Sequence, residues 1–190
     1  MLHSGAMGVV SSHMSERELK YNPYSKKLET FDRSRVKPGK SGSGSKVFLV
    51  YGHDESAREG AARYLEKLQL QPIILHEQPN SGQTIIEKVE KYGEVAFAVV
   101  LLTPDDVGAA RGNADDLKPR ARQNVILELG YFLGRLGRNR VAALIKGHIE
   151  KPSDYDGVVY IQMDNAGAWR LQLARELKTA GLKVELNGAI

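Results

Sequence analysis

From residue 46 onward, short apolar runs alternate with amphipathic stretches, and this alternation constrains the fold more than any other feature. The runs are Val47–Val50, Pro72–Leu75, Val95–Leu102, Arg140–Ile145 and Val158–Gln162. Each has the length of a strand, and continuous apolar character is expected of strands buried on both faces of a parallel sheet. Between them, Ala57, Ala61, Tyr64, Leu65 and Leu68 form one helical stripe, and Ile85, Ile86, Val89 and Tyr92 form another. Trp169 to Ala180 reads as a closing amphipathic helix, with Trp169 in its core face. Regular βα alternation predicts an α/β fold: a flavodoxin-like, doubly wound domain with a five-stranded parallel sheet and helices on both faces. In such sheets ligands gather beyond the carboxyl ends of the strands.

The stretch Gln123–Gly134 is the most informative of the helical segments. At 100° per residue, Val125, Leu129, Phe132 and Leu136 fall within about 60° of one another, and Ile126 and Leu133 widen the arc. Glu128 lies just outside this stripe, roughly 60° from Val125. A carboxylate there is partly desolvated when the helix lies on the core, which is costly unless compensated. Two readings stand. Glu128 is either a rim acid paired with Arg120, Arg122 or Arg135, or a functional carboxylate. Gly130 and Gly134 lie on the other flank, where each costs about 1 kcal/mol, and they suit a close approach by another backbone or a ligand.

Residues 1–45 read differently. Residues 1–14 end in Ser11-Ser12-His13-Met14 and look like a cloning remnant, with Met14 as the natural start. Residues 15–45 show no sustained periodicity and close on Gly39-Lys40-Ser41-Gly42-Ser43-Gly44-Ser45, a flexible linker by composition. The expected organisation is therefore a tail over 1–45 and one domain over 46–190. The net charge of +4 belongs to the tail, which holds eight of the 27 Lys and Arg but four of the 23 Asp and Glu. A balanced domain argues against a sequence-specific nucleic-acid reader. No apolar run approaches the ~20 residues of a membrane span, no secretory signal is visible, and cysteine is absent. A cytoplasmic protein without a disulfide scaffold is expected.

Three polar clusters should meet at the carboxyl edge of the sheet: Gly52-His53-Asp54, the loop from His76 to Gln83, and Thr103 to Asp106. Asp54 or Ser56 can cap the following helix. His53, His76, Asp54 and Glu77 match no zinc spacing, so no metal is expected. There is no GxGxxG, no Walker A and no Gly-x-Ser-x-Gly elbow, which excludes the commonest dinucleotide, NTPase and hydrolase signatures.

The succession KVFLVYGHD, ILHEQPNSGQTIIEK, FAVVLLTPDD, RARQNVILELGYFLGRLGR and PSDYDGVVYI resembles the bacterial TIR-like domains regarded as nucleotide-binding. Their relatives include the TIR effectors of cyclic-oligonucleotide anti-phage systems, such as TIR–STING fusions. The resemblance spans residues 46–180 and is most specific in NVILELGYFLG. It implies cleavage of NAD+ at the nicotinamide–ribose bond, with NAD+ as substrate, no cofactor, and Glu128 as the catalytic glutamate. It also implies self-association through the 76–84 loop, possible pairing with other TIR domains, and an upstream sensor. Candidate nucleotide-binding residues are Gly52, His53 and Asp54, then Gln78, Ser81 and Gly82, then Asp105 and Asn124. For Gly52 to Asp54 the competing role is a capped helix start. For Asp105 it is a helix cap or loop solvation, and for Asn124 a cap on its own helix. The functional alternatives are a non-catalytic TIR-type binding module and a nucleoside deoxyribosyltransferase-like enzyme.

Overall fold

The computed structural model describes residues 17–22, 27–32, 44–77, 82, 85–152 and 157–185. The chain divides into two compact units, Met1–Lys37 and Pro38–Ile190. In the first, β1 (Arg17–Asn22) pairs antiparallel with β2 (Lys27–Asp32). The register sets Arg17 opposite Asp32 and Lys20 opposite Glu29. A hairpin was not expected here, because residues 15–45 show no sustained periodicity in sequence.

The second unit is an α/β domain. In chain order it comprises β3 (Lys46–Val50), α1 (Glu55–Lys67), β4 (Gln71–Ile74), a single 3-10 turn (Leu75–Glu77) and α2 (Ile85–Tyr92). Then follow β5 (Phe97–Leu102), β6 (Asp106–Gly108), β7 (Lys118–Arg120), α3 (Gln123–Leu136), β8 (Val141–Ile145), β9 (Val159–Gln162) and α4 (Ala168–Thr179). The sheet order is β4-β3-β5-β8-β9 with every pairing parallel. Its five strands thus run 2-1-3-4-5 in chain order, the flavodoxin-like arrangement.

Strand alternation sorts the core into two halves. Val47, Leu49, Phe97, Val99, Leu101 and Leu144 face α1 and α4, whose Leu65, Trp169, Leu173 and Leu177 complete one cluster. Phe48, Val50, Ala98, Val100, Leu102 and Ala143 face the opposite side. There they meet Val89 of α2 and the predicted stripe Val125, Leu129, Phe132 and Leu136 of α3, with Phe48 and Phe132 at a ring separation of 4.6 Å. All six residues of β5 and all five of β8 are buried, which is why these strands read as unbroken apolar runs. Trp169 is 2% exposed and packs edge-on against Tyr64, as a core residue.

The segment between β5 and α3 differs from expectation. A long polar loop was predicted over 107–123, whereas β6 and β7 pair there as a short antiparallel hairpin. Its second strand, Lys118-Pro119-Arg120, is charged and contains proline, so it carries no strand signal. It gains a further neighbour on its other side: Arg120 bridges to Glu150, whose amide donates to the Pro119 carbonyl at 2.7 Å. At the far end of α3, Gly137 stops the helix with φ of 83°, a conformation that favours glycine.

The strand order reverses between β3 and β5, since the chain steps from β3 outward to β4 and then crosses back to β5 and β8. The carboxyl ends of β3 and β5 therefore flank the crevice in which a fold of this kind places its ligand. Among the described residues no helix is long and apolar enough to cross a membrane.

Candidate functional site

Glu128 sits in the second turn of α3 and is half-buried. Its carboxylate has no hydrogen-bond or ion-pair partner among the described residues, and burial alone lifts its pKa from the ordinary 4.5 to about 7. The rim-pairing reading fails for each candidate arginine. Arg135 donates from Nη1 to the Tyr131 hydroxyl at 3.0 Å, Arg122 turns to His53, and the buried Nε of Arg120 has no partner among the described residues. Helical spacing puts Asn124, Tyr131 and Arg135 on the same flank as Glu128. That flank faces the end of α2, because a Cβ built on Gly93 would lie 3.4 Å from the Tyr131 hydroxyl.

A second group is assembled by the strand ends at the switch point. Asp105 Oδ2 accepts from the Thr103 hydroxyl at 2.8 Å and from the His53 amide at 3.2 Å. The carboxylate lies over Gly52, where any side chain would collide with it. Glycine is thus required by close approach and not by backbone conformation. Thr103 is 1% exposed, so its hydroxyl is a buried group satisfied by this bond.

Asp54 closes the cluster on the α1 side. One carboxylate oxygen accepts from the Ala57 amide at 2.8 Å, capping α1, and the other pairs with Lys146 Nζ at 2.7 Å. Burial alone would raise its pKa, but the Lys146 bond and the Ala57 amide outweigh it and hold the carboxyl below its usual value. Both Asp54 oxygens are committed, so the capping reading describes this residue. Asn124 is exposed in the first turn of α3, but the cap position belongs to Arg122, which makes no side-chain cap bond.

Among the described residues the candidate site thus has two parts: a half-desolvated carboxyl on the α3 flank that faces the end of α2, and a polar group at the strand ends in which Arg122 and Lys146 are the cations. Residues 46–165 match the family model described as "CAP12/Pycsar effector protein, TIR domain". The chain belongs to this TIR-domain family.

Three relatives place the TIR domain further. It is 47% identical over 146 residues to the YuaY protein of Escherichia coli (strain K12), covering 76% of this chain and 48% of the relative. It is 38% identical over 115 residues to protein tirC of Dictyostelium discoideum, covering 58% and 57%. To the Pycsar effector protein BcPycTIR of Burkholderia cepacia it is 45% identical over 67 residues, covering 34% and 21%. The chain thus spans about half the length of the first two relatives and about a fifth of the third.

Of the TIR-domain residues singled out in the sequence, Gly52, His53, Asp54 and Asp105 come together at the switch point, while Glu128 and Asn124 share a flank of α3. Gln78 and Ser81 lie outside the described residues, as does most of the 76–84 loop. Gly82 is exposed, at φ of 70°. Gly134 has open space around it, so the close backbone neighbour expected there is absent among the described residues. Lys146 was not singled out, Thr103 only opened a polar cluster, and Arg122 entered only as a candidate ion-pair partner of Glu128. The signal that could have found them is their position immediately after β5, before α3 and after β8.

Proposed function

We propose that this TIR domain is an NAD+ glycohydrolase that breaks the nicotinamide–ribose bond with Glu128 as its carboxylate. The observation that carries the proposal is the half-buried Glu128 carboxyl, which has no partner among the described residues. A charge left without a partner at such a position costs stability, which is understandable where a substrate supplies the missing cation.

The chemistry asks for little else. As the C1′–N bond breaks, its electron pair returns to the pyridinium ring and nicotinamide leaves neutral, so no general acid is needed. Ordinary glycosides differ, since their leaving oxygen must be protonated by a second carboxyl. Positive charge develops on the ribose, and a nearby anion stabilises it. At 4 Å such a pair is worth about 1 kcal/mol in water and about 4 kcal/mol near a protein surface of effective dielectric ~20. Water then adds its oxygen to C1′ and releases a proton, giving ADP-ribose. The cationic nicotinamide ring of the bound substrate also favours ionised Glu128, drawing its pKa back down before the bond breaks.

Relatives named as Pycsar effector proteins and as CD-NTase-associated protein 12 support an effector role in anti-phage defence. An upstream nucleotide signal would then switch the domain on, with self-association through the 76–84 loop as the activating step. Nicotinamide release by concentrated, crowded protein tests the proposal. Wild type should release it and Glu128→Ala should not; release at equal rates from both, or from neither, contradicts it.

A further inference from the structure

Arg122 stands out among the arginines of the crevice. Arg58 is paired with Glu55 at 2.7 Å, but among the described residues no carboxylate pairs with Arg122. Its Nη1 lies instead against the ring nitrogens of exposed His53. A guanidinium only donates, so the imidazole can offer it no more than one lone pair. This is a weak anchor for a fork suited to two parallel bonds with a carboxylate or phosphate.

The neighbouring acids are each engaged elsewhere through at least one oxygen. Asp105 is turned toward Thr103 and the His53 amide. Asp54 is taken by Ala57 and Lys146. The first turn of α3 contains no acidic residue. Lys146 meanwhile stands on the other side of the same turn, so two cations flank His53-Asp54. Arg122 is the N-cap residue of α3, six positions before Glu128 in the sequence, so the fork and the carboxyl both belong to the N-terminal half of one helix.

We propose that Arg122 anchors the diphosphate of the dinucleotide substrate, leaving its resting place on His53 to bind the phosphate oxygens. This deepens the glycohydrolase reading and rests on it for the identity of the substrate. Arg122 thereby makes the site select nucleotides over nucleosides, and His53 holds the guanidinium in the crevice while the site is empty. Lys146 adds long-range attraction from across the turn.

Calorimetric titration of the full chain with ADP-ribose and with inorganic pyrophosphate tests this, using wild type, Arg122→Ala, Arg122→Lys and His53→Ala. Thermal melts check that each variant is folded. Arg122→Ala should weaken both probes at least tenfold, and Arg122→Lys should recover only part of that loss, because a point charge cannot reproduce the fork. His53→Ala should bind ADP-ribose at least as tightly as wild type, since it removes a competitor. Unchanged affinity in Arg122→Ala, or an equal loss in His53→Ala, overturns the anchor. So does wild type that binds neither probe. The two proposals fail separately. Arg122-dependent ADP-ribose binding without NAD+ turnover sinks the glycohydrolase alone. Glu128-dependent turnover with the same KM in wild type and Arg122→Ala sinks the anchor alone.

Discussion

The carboxylate of Asp105 fills the space that a side chain at Gly52 would need. Gly52 lies two residues beyond β3 and Asp105 three beyond β5, the strands between which the sheet order reverses, so their contact ties the two strand-end loops together. Asp105 keeps its place through the Thr103 hydroxyl and the His53 amide, both bound to the same carboxylate oxygen. Gly52→Ala should therefore displace Asp105 and cost about 1–3 kcal/mol, the usual range for overpacking a tight site. Thermal unfolding of Gly52→Ala, Asp105→Ala and the double variant checks this. The double variant should be more stable than the sum of the single losses predicts, because the second change removes the collision.

Asp54 is predicted to act mainly on stability. Asp54→Ala removes the α1 cap and the Lys146 pair, with an expected loss of about 1–2 kcal/mol at pH 7. The folded-state pKa lies below the ordinary 3.8. Its contribution is therefore present above that ordinary value and is lost as pH falls through the folded pKa. Unfolding curves at pH 7 and near pH 3 should show the gap between wild type and Asp54→Ala narrowing at the lower pH.

Glu128 should show the opposite sign. Below 4.5 its carboxyl is protonated whether the chain is folded or not, and it makes no pH-dependent contribution. Between 4.5 and about 7 the unfolded chain ionises first, so stability falls as pH rises. Above about 7 the full cost is present, up to about 3 kcal/mol. Glu128→Gln should accordingly melt several degrees above wild type at pH 8 and close to it at pH 4. Equal melting temperatures at pH 8 would show that the carboxyl is solvated.

Much of the α/β domain was legible because its signals are local. Buried strands such as Phe97–Leu102 announce themselves as apolar runs, and the stripe Val125, Leu129, Phe132 and Leu136 fixes which way α3 faces. Once that face is known, the half-buried position of Glu128 follows from helical geometry. The hairpins were not legible. Lys118-Pro119-Arg120 is held by neighbours distant in sequence, and the tail over 15–45 shows no sustained periodicity. Nor did the sequence reveal that Arg122 meets His53 or that Lys146 meets Asp54. Such contacts join residues 69 and 92 positions apart, and nothing in local composition distinguishes these two cations from the chain's many others.

The central claim is that an ionised, partly desolvated Glu128 stabilises positive charge on the departing ribose. The pH dependence of kcat/KM for nicotinamide release tests it most directly, because that parameter reports the free protein's ionisations. The rate should rise with pH and level off through about 7, the pKa that burial imposes on Glu128, and Glu128→Gln should have no measurable rate at any pH. A Glu128→Gln protein that turns over NAD+ with the wild-type pH profile would contradict the account.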